Sequence, residues 1–342
     1  MIRFAIVGYG FMGGVHAAIL HKHPRAELKA VVETDAQRLR QQTRGNVKVD
    51  EQNSIDFLDA VDLYSELDPV LERHDIDCVA VCLPTYLHES FANRCLKAGK
   101  DVIVEKPMAL TLSSCDSMIK HARENDKMLF VGQCIRFWPE YVILKEMIAS
   151  EHMGKLLSLG LRRVGAPPAW AGEESWFFQE EKSGGCVFDL HVHDTDFIHY
   201  AVGNPSALYS HGLMDNKGLN RALLTHYYFD KELICYAEGS WKYHAPFKMS
   251  YSAVFERGQL EYDSSQTPTL QLWRTGGEQS EFPSVPAGDG YFHQYDYIIN
   301  CLETRQSNEK LDPVSVRNSI AIALAEKKSM SRNEIVHIQY SI

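Results

Sequence analysis

Ile2-Arg3-Phe4-Ala5-Ile6-Val7-Gly8-Tyr9-Gly10-Phe11-Met12-Gly13 is the stretch that decides the fold. An apolar strand runs into a G-x-G-x-x-G loop, and a helical pattern follows at once. The first glycine permits the tight turn, the second admits a pyrophosphate to the backbone, and the third lets helix and strand pack closely. Free N–H groups at the helix start then bind the anion. The loop alone is a weak signal; the strand before it and the helix after it make it strong. Tyr9, Phe11 and Met12 line the same loop and count with the glycines as cofactor-binding positions.

Glu33 closes the next strand, 20 residues beyond Gly13. An acid there accepts hydrogen bonds from a ribose diol and repels a 2′-phosphate. The expected cofactor is therefore NAD, with NADP disfavoured.

Outward from this loop, strand and helix patterns alternate. Strands are predicted at 2–7, 27–32, 61–64, 78–83, 101–104 and 128–131, and helices at 11–21, 67–74, 87–98 and 112–124. This repeat predicts an α/β, doubly wound parallel sheet, a Rossmann domain over residues 1–132. A polar stretch at 44–60 has no assigned role. Beyond Gly132 the pattern changes. A helix is predicted at 141–150, alternating strands at 155–164, 223–229, 233–243, 249–256 and 259–262, and late helices at 291–304 and 314–331. Residues 133–342 are thus expected to form an α+β domain with a large, mostly antiparallel open sheet. There is no internal repeat.

Two strand ends carry candidate chemistry. Leu83 ends the fourth strand with Pro84 and His88 after it, and Glu105-Lys106-Pro107 follows the fifth. Both lie at the carboxyl edge, where such sheets bind ligands. Proline restricts the residue before it and so fixes Lys106. An ordinary solvated lysine would read the same in isolation.

Downstream, Gly184 and Gly185 precede a helical pattern. At about 100° per residue, Asp189, His193, Asp196 and Tyr200 form one polar stripe. Val187, Leu190, Phe197, Ile198 and Ala201 form an apolar one beside it. Asp189 and His193 are then neighbours on one face, and a histidine there suits proton transfer at neutral pH. A metal reading of His191, His193, Asp194 and Asp196 is disfavoured, because His191 would point away from His193. Arg136 and the loop aromatics Trp170, Trp176, Phe177 and Phe178 are candidate substrate or interface residues.

Composition sets outer bounds. With 342 residues two domains are expected, and a net charge of −10 disfavours nucleic acid. No run of about 18 apolar residues suggests a membrane span, and the N-terminus does not read as a signal peptide. The eight cysteines, with no C-x-x-C among them, read as buried free thiols of a cytoplasmic protein.

Taken together, Gly8/Gly10/Gly13, Glu33, Pro84 and His88, Glu105-Lys106-Pro107, Arg136-Phe137 and Gly184-Gly185 through Asp189 and His193 resemble the Gfo/Idh/MocA oxidoreductase family over nearly the whole chain. The resemblance implies catalytic roles for Lys106, Asp189 and His193. Lys106 would orient the reacting oxygen, Asp189 would hold the same region, and His193 would accept the proton. Glu105 and the segment 84–88 would border the nicotinamide ribose. It also implies a carbohydrate, polyol or inositol substrate, and a homodimer or homotetramer built on the open sheet. A glutamate stands at 33 where aspartate is commoner. Two other readings stay open: an NAD-dependent glycosidase of the same fold, and a non-catalytic dinucleotide-sensing regulator.

Overall fold

A computed structural model describes residues 1–35, 37–40, 56–168, 171–172, 174–277 and 279–340. Trp170 and most of the 44–60 stretch lie outside them; Asp56–Ala60 forms a 3-10 turn. The chain divides into two compact units. The first comprises Met1–Gln133, Pro168–Trp176 and Tyr291–Arg317, and the second Cys134–Pro167, Phe177–Gly290 and Asn318–Ile342. The first unit thus takes two later segments that a boundary at 132/133 leaves in the second.

The first unit holds β1 (Ile2–Val7), α1 (Phe11–Lys22), β2 (Ala26–Val32), β3 (Asp62–Tyr64), α2 (Asp68–Leu71), β4 (Cys78–Val81), α3 (His88–Lys97), β5 (Asp101–Val104), α4 (Leu112–Glu124) and β6 (Leu129–Val131). All six strands are parallel, in the order β3-β2-β1-β4-β5-β6. The strand order reverses between β1 and β4, and at such a switch point doubly wound sheets bind ligands. β4 and β5 are buried along their whole length, as expected for strands covered on both faces. β4 stops at Val81, so Leu83 lies beyond the strand and not in it. The helix expected at 67–74 shrinks to the single turn of α2.

The second unit contains α5 (Pro139–Ser150), β7 (Leu156–Val164), α6 (Glu180–Ser183), α7 (Val192–Val202), β8 (Ala207–Met214), β9 (Asn220–Tyr228), β10 (Ile234–Ser240), β11 (Lys248–Phe255), β12 (Gly258–Asp263) and β13 (Leu270–Arg274). α8 (Gly290–Thr304) and α9 (Pro313–Arg332) follow, then β14 (Val336–His337). Of α8, all but Gly290 belongs to the first unit, where Tyr295 packs edge-on against Phe4 of β1 at 6.0 Å.

The sheet order is β13-β12-β11-β7-β10-β9-β8-β14, antiparallel except for the parallel pair β7–β10. β8, β13 and β14 are absent from the sequence reading. β8 hides because its inward positions include Ser210, which bonds Thr225 Oγ1 at 2.7 Å, and Gly212, so no apolar alternation appears.

The inner face of this sheet is covered by helices. Tyr251 Oη donates to the Glu140 carbonyl of α5 at 2.7 Å, and Ser329 of α9 accepts the Ser210 N–H at 2.9 Å. Among the described residues, the outer face carries exposed apolar side chains. Cross-strand register puts Leu213, Leu224, Ile234, Tyr236 and Trp273 on it, with Ile234 59% exposed. A Cβ on Gly160 of β7 would lie 2.4 Å from the Tyr236 ring, so the glycine lets that ring lie flat across the strand.

Candidate active site

The dinucleotide cradle is built by steric necessity. Gly8 has φ +90°, and a Cβ there would meet the Cys82 carbonyl oxygen at 2.6 Å. A Cβ on Gly13 would stand 2.0 Å from the Gly8 carbonyl oxygen. Nothing lies within 4 Å of the corresponding point on Gly10, so that side of the loop is open to a ligand. α1 has no acidic residue in its first turn and no side-chain cap, leaving its N–H groups to an anion. The residues present fit a dinucleotide.

Glu33 is buried at the end of β2. Its Oε2 accepts the Tyr9 N–H at 2.8 Å and its Oε1 the Asp35 N–H at 3.0 Å. It therefore pins the glycine loop; Oε1 also accepts the Thr34 hydroxyl at 3.4 Å, and Oε2 keeps a second lone pair for a diol. Arg38, invisible as a contact in the sequence, brings Nη1 to 3.9 Å from Glu33 Oε1 from an exposed position.

At the end of β4, His88 is turned inward. Its Nδ1 lies 2.9 Å from the Pro107 carbonyl and its Nε2 2.8 Å from that of Leu83. Burial pushes the imidazole below its ordinary value, partly opposed by those two carbonyls. The ring ties the Pro84 segment to the turn after Lys106, so it shapes the edge rather than projecting from it. Cys82 stands beside it. Burial pushes its thiol well up and the Glu105 charge adds to this, so it is held protonated and is no nucleophile. All eight cysteines are free thiols.

Lys106 leaves β5 half-buried, and its peptide bond to Pro107 is cis. Its own N–H donates to Glu105 Oε2 at 3.0 Å. Burial raises the Glu105 carboxyl, but the His16 hydrogen bond and the His16 and Lys106 charges outweigh that and leave it below the ordinary value. The stability this contributes is present above the unfolded carboxyl's value and lost as pH falls through the folded one. Also in the first unit, Trp176 tilts toward Tyr86 at 6.5 Å, placing two rings beside the Pro84 segment.

In the second unit the segment after Gly184 and Gly185, both at positive φ, corrects the sequence reading. Residues Val187–His191 form a π-helical turn that passes into α7. A 100° wheel therefore does not run unbroken from Asp189 into α7, whereas His193, Asp196 and Tyr200 all lie on α7 itself. π turns recur at functional sites. Asp189 and His193 are half-buried, whereas Asp194, Asp196 and His191 are fully buried and engaged.

Arg163 Nη2 donates to Asp194 Oδ1 at 2.8 Å. Arg136 donates from Nε and Nη2 to Asp196 at 2.8 and 2.6 Å, and Ser319 Oγ donates to Oδ1 at 2.7 Å. His191 Nε2 faces Tyr227 Oη at 3.1 Å and Glu326 Oε1 at 3.3 Å. Among the described residues no group of three or more His, Cys, Asp or Glu could hold a metal. Arg136 is thus an anchor of α7, and Phe177 and Phe178 pack on Trp241.

Residues 2–133 match the Gfo/Idh/MocA oxidoreductase family with an NAD-binding Rossmann fold, and residues 141–261 match the C-terminal domain of the same family. The chain belongs to this family. Its first domain is accordingly of the NAD-binding Rossmann type.

Among curated relatives, it is 29% identical over 204 residues to the myo-inositol 2-dehydrogenase of Thermotoga maritima, covering 59% of this chain and 55% of that protein. It is 26% identical over 206 residues to the 2,7-anhydro-N-acetylneuraminate hydratase of Escherichia coli, covering 59% of this chain and 50% of that protein. The chain spans about half the length of the curated relatives it matches. A solved levoglucosan dehydrogenase, in complex with NADH and L-sorbose, superposes with a TM-score of 0.84 at 17% identity over 99% of both chains. That likeness establishes the fold. No helix of the described residues is long and apolar enough to cross a membrane.

Sequence reading missed His16, Tyr295, Arg38 and Arg163. His16 had one available signal: it is a single imidazole among the otherwise apolar buried positions of α1.

Proposed function

We propose that this protein is an NAD-dependent oxidoreductase acting on a CH–OH group of a sugar, polyol or inositol. The observation that carries the reading is Lys106, held at the carboxyl end of β5 in the unit that also carries the dinucleotide cradle. When bound, NAD supplies the acceptor for hydride from the substrate carbon. Lys106 offers an ammonium to the reacting oxygen and stabilises it as an alkoxide develops. Asp189 orients the same hydroxyl, and His193 takes its proton. Glu33 and the Gly8–Gly13 loop hold the cofactor, with positioning as the main source of rate. Screening polyols and sugars with NAD at 340 nm tests this. Accumulation of NADH with at least one of them is expected; none across a broad panel contradicts it.

The relatives named as hydratases favour a second reading, a reaction without net redox change. Product formation with no NADH accumulating would support it.

Glu33 sets cofactor choice. A like-charge contact with a 2′-phosphate costs on the order of 1–3 kcal/mol, so NAD is expected to bind about 5–150-fold tighter than NADP. Arg38 is exposed and offsets little of this. Glu33→Ser should erase the preference in fluorescence titrations with NADH and NADPH; equal wild-type affinities would remove Glu33 from this role.

The outer face of the second sheet is the proposed contact between copies. Leu213, Leu224, Ile234 and Tyr236 make it an apolar patch that a second copy would cover. Light scattering at micromolar concentration should give a dimer or tetramer, and Ile234→Asp should shift it toward monomer. A monomeric wild type contradicts the assignment.

A further inference from the structure

Behind Lys106 lies a buried chain of groups that the reaction scheme above does not use. His16, on α1 three residues after Gly13, is 1% exposed. Its Nε2 lies 2.7 Å from Glu105 Oε1, and its Nδ1 2.5 Å from Tyr295 Oη of α8. The carboxylate can only accept, so Nε2 carries the proton of that bond. The other Glu105 oxygen accepts the Lys106 N–H at 3.0 Å. Space for the carboxylate is reserved by Gly132 after β6, where a Cβ would stand 2.8 Å from Oε1. Tyr295 meets the His16 ring edge-on at 5.3 Å and is itself fully buried. Each link joins a different element: α8, α1, and the ends of β5 and β6.

We propose that His16 is a positioning residue for Lys106. It clamps Glu105, Glu105 holds the Lys106 backbone, and the helix under the pyrophosphate loop and the lysine's strand end are thereby set as one piece. The role given to Lys106 rests on the function proposed above. Charge-assisted hydrogen bonds in a dry interior are strong and directional, and a buried carboxylate that loses one no longer has a fixed rotamer.

The test uses His16→Asn, His16→Gln and Tyr295→Phe in the full chain. The Asn amide overlays Nδ1 and cannot reach Glu105; the Gln amide overlays Nε2 and can. Amide hydrogen exchange is followed at Lys106 and along β4, β5 and β6, with NADH affinity and polyol oxidation measured alongside. In His16→Asn, exchange at Lys106 should accelerate at least about tenfold while the strands keep their protection. The kcat should fall about 10–100-fold, with NADH affinity within about threefold of wild type. His16→Gln should restore both local protection and most of kcat. Tyr295→Phe should show the same local loss more weakly.

Unchanged exchange at Lys106 in His16→Asn overturns the proposal. Equal loss of protection in all three strands in both His16 variants overturns it too, because His16 would then be a packing residue. If wild type oxidises no polyol, the functional reading fails while the exchange data still decide the role of His16.

Discussion

Lys106→Met and His193→Asn should each lower the rate of hydride transfer by about 10²–10⁴ while leaving NAD affinity nearly unchanged. Methionine keeps the stem of Lys106 and removes the charge that meets a developing alkoxide. Asparagine keeps a polar group at 193 and removes the proton acceptor. Affinity survives because the pyrophosphate rests on the Gly8–Gly13 loop and the ribose on Glu33, and neither touches these side chains in the scheme. Single-turnover absorbance under saturating NAD reads the step itself, free of product release. In wild type, kcat/KM for oxidation should fall on the acid side as the His193 imidazole takes up a proton. In His193→Asn that limb should vanish. A near wild-type rate in either variant would remove that residue from the mechanism.

Asp196→Ala should destabilise the fold by about 3–5 kcal/mol, because it removes one member of a fully buried, doubly hydrogen-bonded ion pair. Both side chains are fully buried, and Asp196 accepts from Arg136 twice and from Ser319 once. Arg136 also lies 4.6 Å from the Tyr200 ring, a weaker contact that cannot replace the carboxylate. Replacing both charges together, as in Arg136→Met with Asp196→Leu, should cost less than Asp196→Ala alone, since the pair is then removed as a whole. Denaturant unfolding of the three chains measures this. A loss under about 1 kcal/mol in Asp196→Ala would show that the pair does not anchor α7.

The two halves of the molecule were legible to different degrees, for physical reasons. The first sheet could be read strand by strand because its central strands are largely apolar runs and its glycines answer to hard contacts. No other residue fits 2.0 Å from the Gly8 carbonyl oxygen. Glu33, Leu83, Pro84, Glu105 and Lys106 could likewise be placed at one sheet edge, because parallel strands all end on the same side.

The second sheet was read only where apolar alternation survived. β8 spends inward positions on Ser210 and Gly212, and β14 is two residues long, so neither has a period to detect. The π turn at Val187–His191 has no sequence signature distinct from an α-helix, which is why a single wheel was drawn from Asp189 through α7. His16 is 89 residues from Glu105 and 279 from Tyr295 in the sequence, and only the fold brings them together.

Whether hydride passes from a substrate carbon to the nicotinamide is decided by isotope transfer. The polyol giving the largest signal with NAD is supplied with deuterium at its hydroxyl-bearing carbons, and the cofactor is recovered after a single turnover. Deuterium is expected at C4 of the nicotinamide in wild type and none in His193→Asn over the same interval. Product formed by wild type with no label entering the cofactor at any time would contradict hydride transfer.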